Sequence, residues 1–184
     1  MSYTMLEKST LYDGSIIRLE LQRFKDDLTD KQIKREVVVH PGSAVILPFA
    51  TGGQSPSRSD TILLIKNLRH SINKILIELP AGTLEKNEAP MNCAGRELQE
   101  ETGYLAQKLT PIGHFFPSPG ILTERMYAFA AYDLQKTVDS PDAGEVIELL
   151  PTRYIDAIEM IKRGEIEDAK TIATLLMYAL MFKH

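Results

Sequence analysis

The sequence has 184 residues, of which 43% are hydrophobic and 25% are charged, and its formal net charge is −4. These values are typical of one soluble globular domain of ordinary size. The negative net charge argues against a protein that binds nucleic acid by neutralising phosphates, so we expect no nucleic-acid partner. The single cysteine, Cys93, cannot form an internal disulfide and fits a reduced cytoplasm.

Neither end of the sequence predicts export or membrane insertion. The N-terminus lacks the basic region and the apolar run of a signal peptide. The longest apolar run, TIATLLMYALMF at 171–182, is too short to span a bilayer and predicts a buried helix. We therefore expect a cytoplasmic protein with no membrane partner.

The first third of the chain is predicted to form strands, because its apolar segments alternate or are β-branched and are bounded by turn residues. The predicted strands cover 14–24, 34–40, 43–50, 61–68 and 74–79. A helix is predicted over 90–102. Pro90 suits its first turn, and Gly103 suits the left-handed position after its end.

More strands and two helices are predicted after this helix. The strands lie near 113–116, 126–132 and 146–150. One helix covers 154–164 and ends at Gly164, and the other covers 167–182. The last helix is apolar nearly all round, so we expect it to pack deep or at a subunit contact. The order of elements indicates an α+β domain rather than a regular βαβ alternation.

The segment GRELQEETG at 95–103 carries an unusual concentration of acid. On a helix Glu97 faces both Glu100 and Glu101, so the three carboxylates repel one another. A solvated charged face is one interpretation. The other is a site for a hard divalent cation such as Mg²⁺, which binds oxygen ligands and would turn this repulsion into coordination. Arg96 lies one turn before Glu100, where it can pair with that residue.

The rest of the same helix is predicted to face a sheet. Met91, Ala94 and Leu98 fall on one stripe of the helical wheel. Cys93 has no catalytic base near it in sequence, and we predict a small buried residue.

The surrounding residues favour the metal interpretation. The pattern is a glycine, an acid six residues later, and then the acidic helix followed by a glycine and a bulky apolar residue: Gly82, Glu88, Arg96-Glu97-Leu98, Glu100-Glu101, Gly103 and Tyr104. This pattern resembles the Nudix box without a gap, although an aliphatic residue is commoner at the last position.

The resemblance to the Nudix family implies a fold. It implies an α+β Nudix fold, an α/β/α sandwich with a mixed β-sheet, plus N-terminal antiparallel strands. We expect residues 41–184 to form the Nudix hydrolase domain. Residues 1–40 are expected to form an N-terminal strand region that dimerises, because members of the family with such strands are typically homodimers.

The resemblance also implies a cofactor and a set of ligands. Mg²⁺ is the expected metal, with Mn²⁺ as a possible substitute. Glu97, Glu100 and Glu101 correspond to metal ligands, with Glu100 and Glu101 also counted as catalytic, and the backbone carbonyl of Ala81 often supplies another ligand. Glu88 and Arg96 correspond to supporting residues that orient the helix and the loop.

A second segment, FFPSPGILTERMYAFAA, and the segments before the box resemble the ADP-ribose pyrophosphatase and nucleoside diphosphate sugar hydrolase branch of the family. The branch implies hydrolysis of a nucleoside diphosphate sugar to a nucleoside monophosphate and a sugar phosphate. Arg35, Arg69 and Glu124 correspond to residues that bind the substrate. The alternative for each arginine is a solvated surface side chain, and the alternative for Glu124 is support of its loop. GDP-mannose hydrolases share these outer motifs, and Ser15-Ile16-Ile17 stands where relatives often carry an aromatic residue, so the preference for adenine is open.

In this branch the catalytic base lies on an acidic loop after the strand at 126–132. Glu145 aligns best as base or extra metal ligand, Glu148 is the reserve, and Asp142 stays open. A catalytically inactive Nudix domain that binds a nucleotide metabolite as a sensor is the alternative from another class. The complete box argues against it, because inactive versions lose the Glu100-Glu101 pair or its neighbours.

Overall fold

The structure is a computed structural model that describes residues 2–54, 56–137 and 147–181. Within these residues the chain forms ten strands and three helices. Their bounds, in chain order, are β1 Tyr3–Asp13, β2 Arg18–Asp26, β3 Gln32–Val39, β4 Ser43–Pro48, β5 Thr61–Arg69, β6 Lys74–Glu78, β7 Ala81–Thr83, α1 Pro90–Thr102, β8 Tyr104–Phe115, β9 Met126–Lys136, β10 Ile147–Arg153, α2 Tyr154–Lys162 and α3 Ala169–Met181. Among the described helices, none is both long and apolar enough to cross a membrane.

The contacts divide the chain into two compact units, and the first comprises Met1–Gly42 and Phe116–Arg125. Its sheet is antiparallel, with β2 between β1 and β3. An isolated parallel bridge joins Val38 of β3 to Leu122. All eleven residues of β1 are exposed, so in one copy of the chain this strand covers little apolar surface.

The second unit comprises Ser43–Phe115 and Met126–His184 and holds two sheets. The mixed sheet has the order β7-β4-β9-β8, in which β4 and β9 run parallel. The other sheet is antiparallel, with the order β10-β5-β6. Every residue of β4 is buried, as expected for a strand that is covered on both faces.

Alternate residues of β4 enter two different cores. Val45 and Leu47 join the larger core, which also contains residues of α2 and α3. Ala44 and Ile46 join a smaller core with the inner face of α1. The mixed sheet therefore lies between α1 and the other two helices, and the predicted α+β class with an α/β/α sandwich and N-terminal antiparallel strands is confirmed. The predicted domains, 1–40 and 41–184, stay a prediction, because compactness does not show which part folds alone.

The helix predicted over 90–102 is confirmed at both ends. Pro90 begins α1, and Gly103 takes the left-handed conformation at φ 71°, with its N–H bonded to the carbonyl of Gln99. The predicted inner stripe is wrong at Met91, which is 46% exposed, whereas Ala94 and Leu98 are fully buried. Met91 lies in the first turn, and Cys93 takes the buried position beside Ala94 instead.

Other parts of the described chain also differ from the predictions. The strand β1 and the first part of β8, at 104–112, were not predicted, because neither segment has a clear apolar alternation. The helix predicted over 167–182 forms as α3 but buries only one face, which includes Thr171, Leu175 and Tyr178. Leu180, on the opposite face, is 73% exposed.

Candidate active site

The acidic face of α1 is organised around one guanidinium group. Nη1 of Arg96 donates hydrogen bonds to Glu97 Oε1 and to Glu100 Oε2, each at 2.8 Å. The predicted pairing of Arg96 with Glu100 is therefore confirmed. The same cation also partly offsets the repulsion between two carboxylates that are neighbours on the helix.

Glu88 binds the other side of the same guanidinium. Nε and Nη2 of Arg96 each lie 3.1 Å from a Glu88 oxygen, and Nη2 also donates to the Thr83 carbonyl at 3.2 Å. The hydrogen bonds from Arg96 lower the pKa of Glu88 against a smaller opposing effect of burial. The bonds to Glu88, followed by the charge of Glu97, raise the pKa of Arg96. Arg96 thus ties the loop before α1 to the helix.

The third carboxylate, Glu101, binds the strand that precedes the loop. Its Oε2 accepts a hydrogen bond from the Ala81 N–H at 2.8 Å, and the residue is 7% exposed. The next residue, Gly82, lies against Glu97 so closely that a Cβ atom at position 82 would overlap the Glu97 carboxyl group. Ala81 and Gly82 therefore form one wall of the acidic site. A glycine is required at position 82 because any side chain there would overlap the Glu97 carboxyl group.

Cys93 lies under this wall and is fully buried, as predicted. Its thiol donates to the Gly82 carbonyl at 3.6 Å. Burial, assisted by the charges of Glu97 and Glu88, raises the pKa of Cys93 to about 12. A thiol with that pKa is almost entirely protonated at neutral pH and is a poor nucleophile.

The residues that could hold a metal are Glu97, Glu100 and Glu101, with the backbone of Ala81 beside them. Their oxygen donors suit a hard cation such as Mg²⁺ or Mn²⁺. Nevertheless, in the ranges 2–54, 56–137 and 147–181 no three His, Cys, Asp or Glu side chains stand in the arrangement that a bound metal requires. Arg96 binds one oxygen of Glu97 and one of Glu100 here, so a cation would have to share these carboxylates with the guanidinium.

Arg69, predicted to bind substrate, lies at the end of β5 and pairs with Glu78. Its Nε donates to Glu78 Oε1 at 2.8 Å, and its Nη2 donates to Glu78 Oε2. The hydrogen bonds to Glu78 raise the pKa of Arg69 against a smaller effect of burial, and the charge of Glu101 contributes in the same direction. Arg69 is therefore within electrostatic range of the acidic site.

Arg35 and Glu124, the other residues predicted to bind substrate, belong to the first unit. Arg35 is exposed on β3, and its Nη1 donates to the Lys34 carbonyl at 2.8 Å. Glu124 Oε1 lies 3.9 Å from His40 Nδ1, which accepts the Gly42 N–H at 3.0 Å. His40 and Glu124 thus come together within this unit. The roles predicted for Arg35, Arg69 and Glu124 stay predictions.

Two of the three candidates for the catalytic base, Glu145 and Asp142, lie outside the described residues. The reserve candidate, Glu148, is on β10 with its side chain 68% exposed and paired with Lys66 at 2.8 Å. Glu148 is therefore the partner of a surface ion pair.

Two side chains, Glu78 and Tyr12, were missed from the sequence. Glu78 is completely buried and binds both Arg69 and Lys170. The only sequence signal was an acid inside the apolar strand KILIEL, which implies a buried and paired carboxylate. In the first unit, Tyr12 is 60% exposed with its ring against Gly14. Relatives often carry an aromatic residue just after this glycine, whereas in this chain the aromatic residue, Tyr12, precedes Gly14.

Comparison with known proteins gives a family model and several relatives. The model of the NUDIX domain matches residues 39–175. The ADP-ribose pyrophosphatase of Bacillus subtilis (strain 168) is 34% identical over 90% of this chain and 86% of its own length. The methanol dehydrogenase activator of Bacillus methanolicus is 29% identical over 91% and 87%. The GDP-mannose pyrophosphatase of Yersinia pestis (strain Pestoides F) is 36% identical over 84% and 78%.

A solved crystal structure of an ADP compounds hydrolase has the same fold. It superposes with a TM-score of 0.84 and covers 100% of this chain and 95% of that chain. The two sequences are 18% identical, so this likeness bears on the fold alone.

Proposed function

This chain belongs to the NUDIX family and is a Nudix pyrophosphatase, and we propose that its substrate is ADP-ribose or a related nucleoside diphosphate sugar. Hydrolysis of the diphosphate bond would give a nucleoside monophosphate and a sugar phosphate. The observation that carries the proposal is the acidic face of α1, in which Arg96 binds Glu97 and Glu100, and Glu101 binds the Ala81 N–H. The pyrophosphatases of Bacillus subtilis and Yersinia pestis support the substrate class.

We propose Mg²⁺, or Mn²⁺ in its place, as the cofactor of this reaction. Glu97, Glu100 and Glu101 would hold the metal, and the Ala81 carbonyl is the candidate for a further ligand. Metal bound there would supply neutralisation of phosphate charge and a water of lowered pKa. Hydrogen bonds within the chain position these ligands. Arg96 and Glu88 fix the helix and its loop, and Glu101 keeps the strand at Ala81 in place.

Arg69 is the proposed cation for the diphosphate. Its Nε and Nη2 bind Glu78, and no hydrogen bond from Nη1 is seen within the described part of the chain. Its side chain is 38% exposed, so Nη1 is the nitrogen best suited to a phosphate oxygen. Guanidinium groups bind phosphate through geometrically matched hydrogen bonds.

A carboxylate in the segment between β9 and β10 would take the proton from the attacking water. Glu145 is the proposed base, because Glu148 is exposed and paired with Lys66. Replacing Glu145 by Gln should lower kcat about 10²–10⁴-fold, as expected when a general base is lost. The same change at Glu148 should lower it less than about threefold, since the residue is a surface ion-pair partner. The reverse order of effects would make Glu148 the base, and a small effect of both would point to Asp142.

The substrate is tested by a panel assay. The purified protein is incubated with ADP-ribose, GDP-mannose, UDP-glucose and nucleoside triphosphates, with Mg²⁺ or with EDTA, and the products are separated by ion-exchange chromatography. We expect hydrolysis of at least one nucleoside diphosphate sugar in Mg²⁺ and none in EDTA. GDP-mannose is the second candidate, favoured by the 36% identity to the Yersinia enzyme. Absence of hydrolysis of every nucleoside diphosphate sugar would reject the proposal.

We also propose that the protein is a homodimer that forms through its N-terminal strands. β1 is exposed along its whole length and carries Tyr3, Met5, Leu11 and Tyr12 at 47–60% exposure. A second copy of the chain could cover this apolar surface. Light scattering after gel filtration should give twice the chain mass of 20.7 kDa, and a variant without residues 1–13 should lose the dimer. The reduced cytoplasm stays the proposed location.

A further inference from the structure

Glu78 is a fully buried carboxylate shared by two cations. Arg69 reaches it from the end of β5 through Nε and Nη2, and Lys170 reaches its Oε2 from the first turn of α3. Burial opposes the ionisation of Glu78, but the hydrogen bonds and charges of the two cations outweigh it, so the pKa of Glu78 is lowered. The carboxylate is therefore charged at neutral pH, and each cation neutralises only part of its charge.

Because Arg69 and Lys170 bind the same carboxylate, Lys170 affects the charge that Arg69 presents to solvent. With Glu78 as sole partner, the guanidinium would be fully neutralised and would attract a diphosphate weakly. Lys170 takes part of the charge on Oε2, and its own second partner is Asp168 at 3.0 Å. Asp168 also accepts the Thr171 N–H at 2.9 Å, where the positive end of the helix dipole stabilises an acid. The guanidinium thus keeps part of its positive charge.

The first turn of α3 also holds the segment between β6 and β7, which leads into the acidic site. The Thr171 hydroxyl accepts the Leu79 N–H at 2.8 Å, and both residues are fully buried. Two residues later, the Ala81 N–H donates to Glu101. One helical turn therefore fixes the Arg69 side chain through Glu78 and the backbone beside the carboxylates through Leu79.

We propose that Lys170 is a positioning residue of the diphosphate site: by binding Glu78 it leaves Arg69 both fixed in direction and positively charged toward the substrate. This inference rests on the proposed function, because it takes Arg69 as the cation that receives the diphosphate. Lys170 itself is 13% exposed and acts through Arg69.

The test compares Lys170→Met with Lys170→Arg and with the control Lys162→Met. Lys162 is on α2 in an exposed pair with Glu159, so its replacement removes the same charge at a place that does not touch Glu78. We measure kcat and KM for ADP-ribose in Mg²⁺, the affinity for ADP by calorimetry, and Tm. Lys170→Met should raise KM and weaken ADP binding roughly tenfold, because one unit charge a few ångströms from the guanidinium is lost. Its kcat should fall less than about threefold.

Lys170→Arg should keep KM and ADP affinity within about threefold of the wild type, because a cation remains beside Glu78. The control should behave as the wild type. A purely structural role predicts a lower Tm for Lys170→Met with unchanged KM and ADP affinity, and that result would overturn the inference.

A double variant, Glu78→Gln with Lys170→Met, keeps the test decisive if Lys170→Met folds poorly. It removes both charges and leaves Arg69 next to a neutral amide that can still accept one of its hydrogen bonds, so the inference expects ADP affinity within about threefold of the wild type. ADP affinity about tenfold below that of the wild type would overturn it. If the wild type hydrolyses no nucleoside diphosphate sugar but binds ADP in a Lys170-dependent way, the proposed function fails and the inference stands. If the wild type neither hydrolyses a nucleoside diphosphate sugar nor binds ADP, the proposed function and the inference both fail.

Discussion

Gly82 of β7 and Glu97 of α1 are in direct contact, and a side chain at position 82 would occupy the space of the Glu97 carboxyl group. The Gly82 backbone is not in the left-handed region, so the requirement for glycine is steric. The contact relates the first glycine of the motif to its first helical glutamate.

Gly82→Ala should therefore displace Glu97 and lower kcat at least about tenfold, or about 1.4 kcal/mol of barrier. The matched control is Gly95→Ala on α1, where an added Cβ atom would meet only Leu109 Cδ1 at 3.8 Å. That control should keep full activity and gain up to about 1 kcal/mol of stability from higher helix propensity. Steady-state kinetics and urea unfolding of both variants check this, and full activity of Gly82→Ala would show that Glu97 can move without consequence.

Glu101→Gln should remove charge while it keeps a hydrogen-bond acceptor for the Ala81 N–H. We expect kcat/KM to fall at least about a hundredfold, because a metal ligand contributes several kcal/mol of transition-state stabilisation. Without metal the Tm should not fall, since one of three neighbouring charges is gone. With Mg²⁺, the rise in Tm expected for the wild type by linkage should be smaller in the variant.

The matched control for Glu101→Gln is Glu159→Gln, which changes an exposed acid on α2. It should leave both kcat/KM and the Mg²⁺-induced rise in Tm unchanged. An equal Mg²⁺ response of Glu101→Gln and the wild type in differential scanning fluorimetry would contradict a metal role for Glu101.

Glu88 should make stability depend on pH in the acid range. Its folded pKa is lowered below the ordinary value of 4.5, so the unfolded chain takes up this proton first. The stabilisation is then complete above about pH 4.5 and is lost as the pH falls through the folded pKa. When the pH falls from 7 to 3.5, the free energy of unfolding in urea should decrease less in Glu88→Gln than in the wild type. At pH 7 the variant should be about 1.5–3 kcal/mol less stable; equal pH dependence would show that Arg96 does not stabilise the ionised form.

Cys93 should resist alkylation in the folded protein. Its pKa of about 12 leaves almost no thiolate at pH 8, and the side chain is fully buried. Iodoacetamide at pH 8 should modify the thiol only after unfolding in guanidinium, as read by intact mass. Rapid modification of the native enzyme would mean that the loop before α1 opens frequently. Mg²⁺ should not change the labelling of the unfolded chain, which serves as the control.

The sequence predicted features whose causes are local. Pro90 and Gly103 marked both ends of α1, and the one-turn spacing of Arg96 and Glu100 predicted their pair. Met91 was predicted wrongly because a helical wheel does not show where the sheet ends. Lys170 was missed since its partner, Glu78, is far away in sequence, and a helix that docks on a strand is a tertiary event. The strand β1 was missed because it is exposed on both faces, so no burial shapes its pattern.

The bond between the Leu79 N–H and the Thr171 hydroxyl joins residues that are 92 positions apart. The motif at 82–104 therefore depends on α3, which lies far outside it in sequence. The motif alone does not contain all the contacts that hold the site. A fragment that ends before Thr171, or a motif transplanted to another scaffold, would keep all its glutamates. It would still lose the hydrogen bond that holds Leu79, just before β7. Directed evolution of this enzyme should accordingly include the start of α3, because changes there would adjust the site without touching any residue of the motif.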